Sequence, residues 1–239
     1  MKKIKEYILS VAAWFFGLLA FISGSFILLI VGIFHTGRVF EWTIKSLCRW
    51  VLFCCGIRLK VTGFENIDLQ KQYIIMMNHV NIMDAFVFYA RYPGKARGIE
   101  EESHFKWLLY GWVIRRIGQF PVSRKSVQKA METLKKAAEL IRNKKEFSVV
   151  VLPEGTRTIT GKMGKFKKGG FFLALEAGID ILPIIQMGSF NFKRKGSWIM
   201  RPGKVEVVIE KPIATSGYSK ENITDLVQKT RDIFLKYID

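Results

Sequence analysis

The chain has 239 residues, 49% of them hydrophobic and 24% charged, which is enough apolar material for a core and excludes an intrinsically disordered chain. Lys and Arg total 38 against 20 Asp and Glu, a formal net charge of +18. Such an excess places the protein beside something anionic: nucleic acid, a phospholipid surface or a phosphorylated substrate.

From Ile8 to Phe34 there are 27 residues without a charge. As one helix they would extend about 40 Å, against roughly 30 Å of bilayer hydrocarbon. The run is too long for a buried helix of a soluble protein and for the apolar core of a cleaved signal peptide, so it is expected to embed in a membrane. Lys2, Lys3 and Lys5 precede it, and Arg38, Lys45, Arg49, Arg58 and Lys60 follow it. With both flanks basic, the positive-inside rule selects no orientation for a single pass. The flanks favour a re-entrant or monotopic anchor with both ends on the cytoplasmic face over a single tilted span. Gly17, Gly24 and Gly32, with Ser23 and Ser25, offer points where the helix could bend back. His35 closes the run as an interfacial residue.

Arg38, Glu41, Lys45 and Arg49 recur at spacings of three and four, with Val39, Phe40, Leu47, Trp50 and Val51 largely off their face. This predicts an amphipathic helix over 38–55, suited to the headgroup region or to the surface of the following domain. Cys48, Cys54 and Cys55 lie in or beside it. Their odd number makes no disulfide framework, no Cys/His group has zinc-ligand spacing, and free thiols fit a reducing compartment. The anchor is therefore assigned to residues 1–60.

Residues 61–239 alternate apolar runs with helical patterns. Tyr73–Met77 reads as a buried strand, followed by a helical stretch through Tyr89. Phe105–Ile117 predicts a helix. Gly118–Arg124 is strand-like. Val127, Ala130, Met131, Leu134, Ala137, Ala138 and Ile141 share one helix face. Phe147–Leu152 predicts a strand closed by Pro153, Gly169–Ala177 a helix, Ile181–Gln186 and Val205–Ile209 further strands. Ser219 is expected to cap a last helix through Phe234. The alternation predicts one α/β domain with helices covering a largely buried sheet.

Two motifs directly follow predicted strands. In Asn78-His79-Val80-Asn81-Ile82-Met83-Asp84, His79 and Asp84 would stand about 140° apart on a regular helix, so they can pair only if His79 precedes the first turn. A carboxylate on one imidazole nitrogen would fix the tautomer and leave the other free as a general base. By chance this spacing arises in about one chain in seven, so alone it decides little. Pro153-Glu154-Gly155-Thr156-Arg157 is the more specific signal. Gly155 permits tight backbone geometry, Thr156 supplies a hydroxyl and Arg157 a phosphate fork. Lys162, Lys165, Lys167 and Lys168 follow as an electropositive rim.

The ordered set of NHVNIMD, GQFPVSR, PEGTR with the following FKKGG, and LPII at 182–185 resembles the glycerolipid acyltransferases, in particular the 1-acyl-glycerol-3-phosphate acyltransferases, over about residues 60–215. The resemblance implies an α/β fold with a mixed sheet covered by helices, carried on a membrane-embedding N-terminal helical motif. It implies transfer of a fatty acyl group from acyl-CoA or acyl-carrier protein to a lysophospholipid hydroxyl, without a further cofactor or metal. His79 would then be the general base and Asp84 its orienting partner. Glu154, Gly155, Thr156 and Arg157 would bind the acceptor, with Arg157 and Arg124 on its phosphate, while Pro183 would be structural. No Cys or Ser in the motifs stands as a nucleophile, so direct attack on the thioester is expected. The stretch Glu100-Glu101-Glu102-Ser103-His104 departs from relatives that carry a basic residue there, and Asn81 stands where relatives often have Ser. His104 has no acid partner at the spacing of the His79 motif and reads as a surface or pocket-wall residue. Phe192–Arg201 mixes aromatic and basic residues, as a hairpin loop or a membrane-surface contact would.

Other readings keep the chemistry on another acceptor, glycerol-3-phosphate or a different lysophospholipid, or discard it for non-catalytic phospholipid binding. Nucleic acid is not an expected partner, since no helix-turn-helix, zinc-finger or RNA-recognition signature accompanies the charge.

Overall fold

The computed structural model describes residues 2–238. Met1, Asp239 and the side chain of Lys2, which was counted in the basic flank, lie outside the described residues. Seven strands form one mixed sheet: β1 (Ile57–Thr62), β2 (Ile74–Met77), β3 (Ala96–Glu101), β4 (Phe120–Val122), β5 (Ser148–Val151), β6 (Ile181–Met187) and β7 (Gly203–Ile209). Their spatial order is β1-β7-β6-β2-β5-β3-β4. All neighbours run parallel except β6 and β7. The predicted α/β fold with a mixed sheet is therefore observed.

Strand β2 sits in the middle, paired to β5 through Ile74–Val149 and to β6 through Ile75–Leu182. All four of its residues are buried, as a strand covered on both faces requires. Ile74 and Met76 face one layer, where they pack with Leu134 and Ile141 of α5 (Val127–Lys144), Phe171 of α6 (Gly169–Ala177), and Leu226 and Phe234 of α8 (Ile223–Leu235). Ile75 and Met77 face the opposite layer, with Val87 and Phe88 of α3 (Asp84–Arg91). That layer also contains the N-terminal helices α1 (Lys2–Phe34) and α2 (Arg38–Cys54). Ala13, Ala20, Leu28, Phe40 and Ile44 belong to the same core as Ile184 and Val207. Strand β1 crosses the assigned boundary at 60/61 and pairs with β7.

The expected bend points do not bend. Helix α1 is continuous over 33 residues, and the chain reverses only at residues 35–37. The small residues serve close packing instead. Ser10, Ala13, Gly17, Ala20 and Gly24 form a buried stripe at spacings of three and four. A Cβ at Gly17 would stand 2.5 Å from Cys55 Sγ, one at Gly24 would strike Leu47, and one at Gly32 would lie 3.1 Å from Phe40. Helix α2 thus returns antiparallel along α1, close enough that a Cβ at Gly17 or Gly24 would force Cys55 or Leu47 to shift. Cys48, Cys54 and Cys55 are free thiols, as expected.

Two further expectations are corrected. The predicted helix over Phe105–Ile117 is divided into a 3-10 turn, Glu102–Lys106, and α4, Tyr110–Ile117. Leu109 between them has φ 59°, which no right-handed helix accommodates. The last helix starts at Ile223 behind Asn222, and Ser219 bonds to that cap residue instead of being it.

Replacing Gly24 by Leu should lower the stability of the detergent-solubilised protein by about 1–3 kcal/mol, because the added side chain must enter the α1–α2 contact. Ile27→Ala, on the exposed face of α1, should leave the unfolding midpoint nearly unchanged. Thermal unfolding followed by circular dichroism checks both.

Candidate active site

The parallel strands β2 and β5 end side by side, and both motifs leave the sheet at their carboxyl ends, where α/β sheets place ligands. Asn78 is buried and locked to β6: its amide donates to Gln186 O at 3.0 Å, its side-chain oxygen accepts from Gln186 N at 2.8 Å, and its carbonyl accepts from Gln186 Nε2 at 3.0 Å. Asn81 donates to Ser189 O at 2.7 Å and accepts from Met83 N at 2.8 Å. These bonds shape residues 78–83 as a loop, so the helical stretch predicted directly after the strand begins only at Asp84.

That loop brings His79 and Asp84 together. His79 Nδ1 lies 2.6 Å from Asp84 Oδ2. The same carboxylate accepts the backbone N–H of Val80 at 2.7 Å and of Asn81 at 3.0 and 3.2 Å. Asp84 also opens α3, where the helix dipole favours a negative charge. Its side chain is 3% exposed and that of His79 is 17% exposed. With Nδ1–H donating to the carboxylate, Nε2 keeps its lone pair, and this arrangement can accept a proton.

The second motif divides into an inward and an outward part. Glu154 is buried, its Oε1 accepting from His79 N at 2.8 Å and its Oε2 from Gly164 N at 2.7 Å. Both carboxylate oxygens therefore brace backbone within the protein. Burial pushes the Glu154 carboxyl above its ordinary pKa of 4.5, although the two N–H donors pull the other way. Gly155 adopts φ 67°, a left-handed conformation, and its N–H bonds back to Leu152 O at 2.9 Å. This tight turn directs Thr156 to the surface, while half-buried Arg157 follows it. Thr158 N donates to His79 O at 3.0 Å, so the two motif loops are joined directly.

Arg124, expected on a phosphate, has its guanidinium 3.0 Å from Glu101. His104 has no acid partner at the spacing of the His79 motif but pairs with Glu100, four residues before it, at 2.6 Å, and Tyr110 donates to the other oxygen of Glu100 at 3.1 Å. The spacing of four between Glu100 and His104 was the available signal. Burial, with Glu100 as the second cause, pushes the Tyr110 phenol upward. No group of three or more His, Cys, Asp or Glu able to hold a metal ion occurs among the described residues.

A family model described as acyltransferase matches residues 58–187, more than half of the chain. The protein belongs to the acyltransferase family. Its matched domain runs from β1 to the end of β6 and includes both motif loops. Among similar proteins is the 1-acyl-sn-glycerol-3-phosphate acyltransferase of Borreliella burgdorferi, 31% identical over 192 residues covering 79% of this chain and 74% of the relative. The protein of the same name from Pseudomonas aeruginosa is 28% identical over 218 residues, covering 88% of this chain and 82% of the relative. The crystal structure of the 1-acyl-sn-glycerophosphate acyltransferase PlsC from Thermotoga maritima superposes with a TM-score of 0.83 over 98% of this acyltransferase and 95% of that chain, at 24% identity. The fold is shared along its length, N-terminal helices included.

Glu154→Ala should leave the N–H groups of His79 and Gly164 without their acceptor and cost about 1–3 kcal/mol of stability. A carboxyl whose folded pKa is raised adds stability that is complete below its unfolded value and is lost as pH rises through the folded one. The stability difference between wild type and Glu154→Ala should therefore narrow as pH rises from 4.5 through the raised value. Urea unfolding at a series of pH values checks the trend.

Proposed function

We propose that this acyltransferase moves a fatty acyl group from acyl-CoA or acyl-carrier protein to the free hydroxyl of 1-acyl-glycerol-3-phosphate, giving phosphatidic acid. The observation that carries the reading is the 2.6 Å pair of His79 Nδ1 and Asp84 Oδ2, within a family whose similar members bear that activity in their names. Nε2 of His79 takes the proton from the acceptor hydroxyl as its oxygen attacks the thioester carbonyl. A C–O bond forms, the tetrahedral intermediate collapses, and the C–S bond breaks. The leaving thiolate recovers the proton from the imidazolium, which Asp84 stabilises meanwhile. Glu154 holds the backbone of His79 in place, and Arg157 is assigned to the acceptor phosphate.

Helix α1 is long and apolar enough to cross a bilayer by length and composition. We read it instead as lying along one leaflet, on the cytoplasmic face. Ser10 near its start bonds Met200, and Gly32 near its end receives Arg116, so both ends rest on the α/β domain. Its outer face exposes Ile8, Phe15, Leu19, Phe26 and Ile30, and α2 adds Trp42 and Phe53. A helix packed on its domain along its length offers that face to lipid from the side.

The purified protein in detergent should convert lysophosphatidic acid and an acyl thioester to phosphatidic acid. His79→Ala should lower kcat by about 10²–10⁴-fold, the range of a general base, in a protein that still folds, since the N–H groups of Val80 and Asn81 continue to hold Asp84. Turnover unchanged by His79→Ala would sink the mechanism.

A further inference from the structure

A cationic group outside the recognised motifs converges on the outward part of Glu154–Arg157. The segment after α7 (Ser189–Phe192) carries Lys193, Arg194 and Lys195 back to this turn. Lys195 Nζ donates to Thr156 Oγ1 at 3.1 Å. Lys193 is half-buried, and its ammonium is held below the usual lysine range by burial and then by the nearby Arg157 guanidinium. Lys193 is fixed in place by the carbonyls of Arg194, at 3.1 Å, and Ser197, and lies 6.0 Å from the Trp14 ring of α1. Among the described residues no carboxylate lies within ion-pair distance of Lys193, Lys195 or Arg157, whereas Arg124 has Glu101. Like charges gathered without a counter-ion are held at a cost that a bound anion relieves.

The segment is also fastened to the apolar helix. Trp198 stacks on Tyr7 with ring centroids 5.4 Å apart, and its carbonyl accepts from Trp14 Nε1 at 2.6 Å. Met200 exchanges two bonds with the Ser10 hydroxyl, at 2.9 and 3.1 Å, and Arg201 pairs with Glu6. The loop that delivers Lys195 to Thr156 is thus mounted on α1, the face of the molecule assigned to lipid.

We propose that Lys195 is a phosphate-binding residue that completes, with Arg157 and Thr156, the site for the acceptor's phosphomonoester, and that its loop sets this site at the edge of the membrane-facing helix. The proposal rests on the phosphorylated-acceptor reading given above. Lys193 contributes positive potential and braces the loop, with two of its three N–H donors given to carbonyls. An acceptor whose acyl chain remains among lipids beside α1 would present its phosphate to Lys195 and Arg157 while its hydroxyl turns to His79.

The test uses the full-length protein in detergent and two readouts. The first is the KM for lysophosphatidic acid and kcat at saturating acyl-CoA. Lys195→Met should raise KM roughly 10- to 100-fold with kcat within about threefold, and Lys195→Arg should recover most of the loss. The second needs no turnover: lysophosphatidic acid should raise the thermal midpoint of the wild type more than 1-monoacylglycerol does, and Lys195→Met should abolish that phosphate-dependent increment. A wild type active on lysophosphatidic acid, with KM and increment unaltered in Lys195→Met, overturns the inference and leaves the function standing. A wild type without turnover, whose increment still depends on Lys195, overturns the acceptor reaction and supports the anion site.

Discussion

The buried carboxylate of Asp84 is the constraint from which the candidate site follows. At 3% exposure it has almost no water, so its negative charge must be met by donors in the protein. The His79 ring and the N–H groups of Val80 and Asn81 supply them. Those bonds set the path of residues 79–81 and orient the imidazole in one act. The remaining groups of the turn follow the same logic. Asn78 is satisfied by Gln186 of β6, Asn81 by Ser189, and the N–H of His79 by Glu154 after β5. Two segments distant in sequence, residues 186–189 and Glu154, are thereby fastened to the end of the central strand, and loosening either leaves a buried polar group unpaired.

The N-terminal helices belong to this architecture as fully as the strands do. The inner face of α1 is small, with Ala13, Gly17, Ala20 and Gly24, which lets α2 approach it and lets both cover the sheet. Its outer face is large and apolar. In the proposed setting, one helix fills a core on one side and meets lipid on the other, and the segment carrying Lys195 is attached to it. Anchoring and acceptor recognition would then share a single rigid element.

Much of the fold was legible because burial on both faces leaves a strong sequence pattern. The runs at 73–77, 147–152 and 181–186 became β2, β5 and β6, and the three/four spacing through Val127–Ile141 became α5. Strands β1 and β3 lacked that pattern: Ile57–Thr62 alternates with Arg and Lys, and Ala96–Glu101 holds two Glu and a Gly. The alternation at Ile57–Thr62 is the local pattern of a half-buried edge strand, whereas the strand state of Ala96–Glu101 comes from pairing with β5 and β4, which no local propensity encodes. The division of Phe105–Ile117 was hidden for a related reason. Its apolar residues satisfy a helical pattern, but the chain breaks it at Leu109, where a positive φ belongs to no helix.

By itself the sequence determined the family, the α/β alternation, the apolar N-terminal segment and the choice of His79, Asp84 and Glu154–Arg157 as candidate site residues, because these reside in residue type and short-range spacing. Only the tertiary structure decided that His79 stands in a loop before Asp84, that Glu154 faces inward to hold backbone, and that α1 runs straight. It also decided which cations lack a partner, pairing Arg124 with Glu101 and carrying Lys195 to Thr156. Spacing along the chain specifies what a local segment can do. Whether a charge is neutralised, a carboxylate buried or a helix face covered depends on neighbours that approach from remote parts of the chain, and those are set by packing.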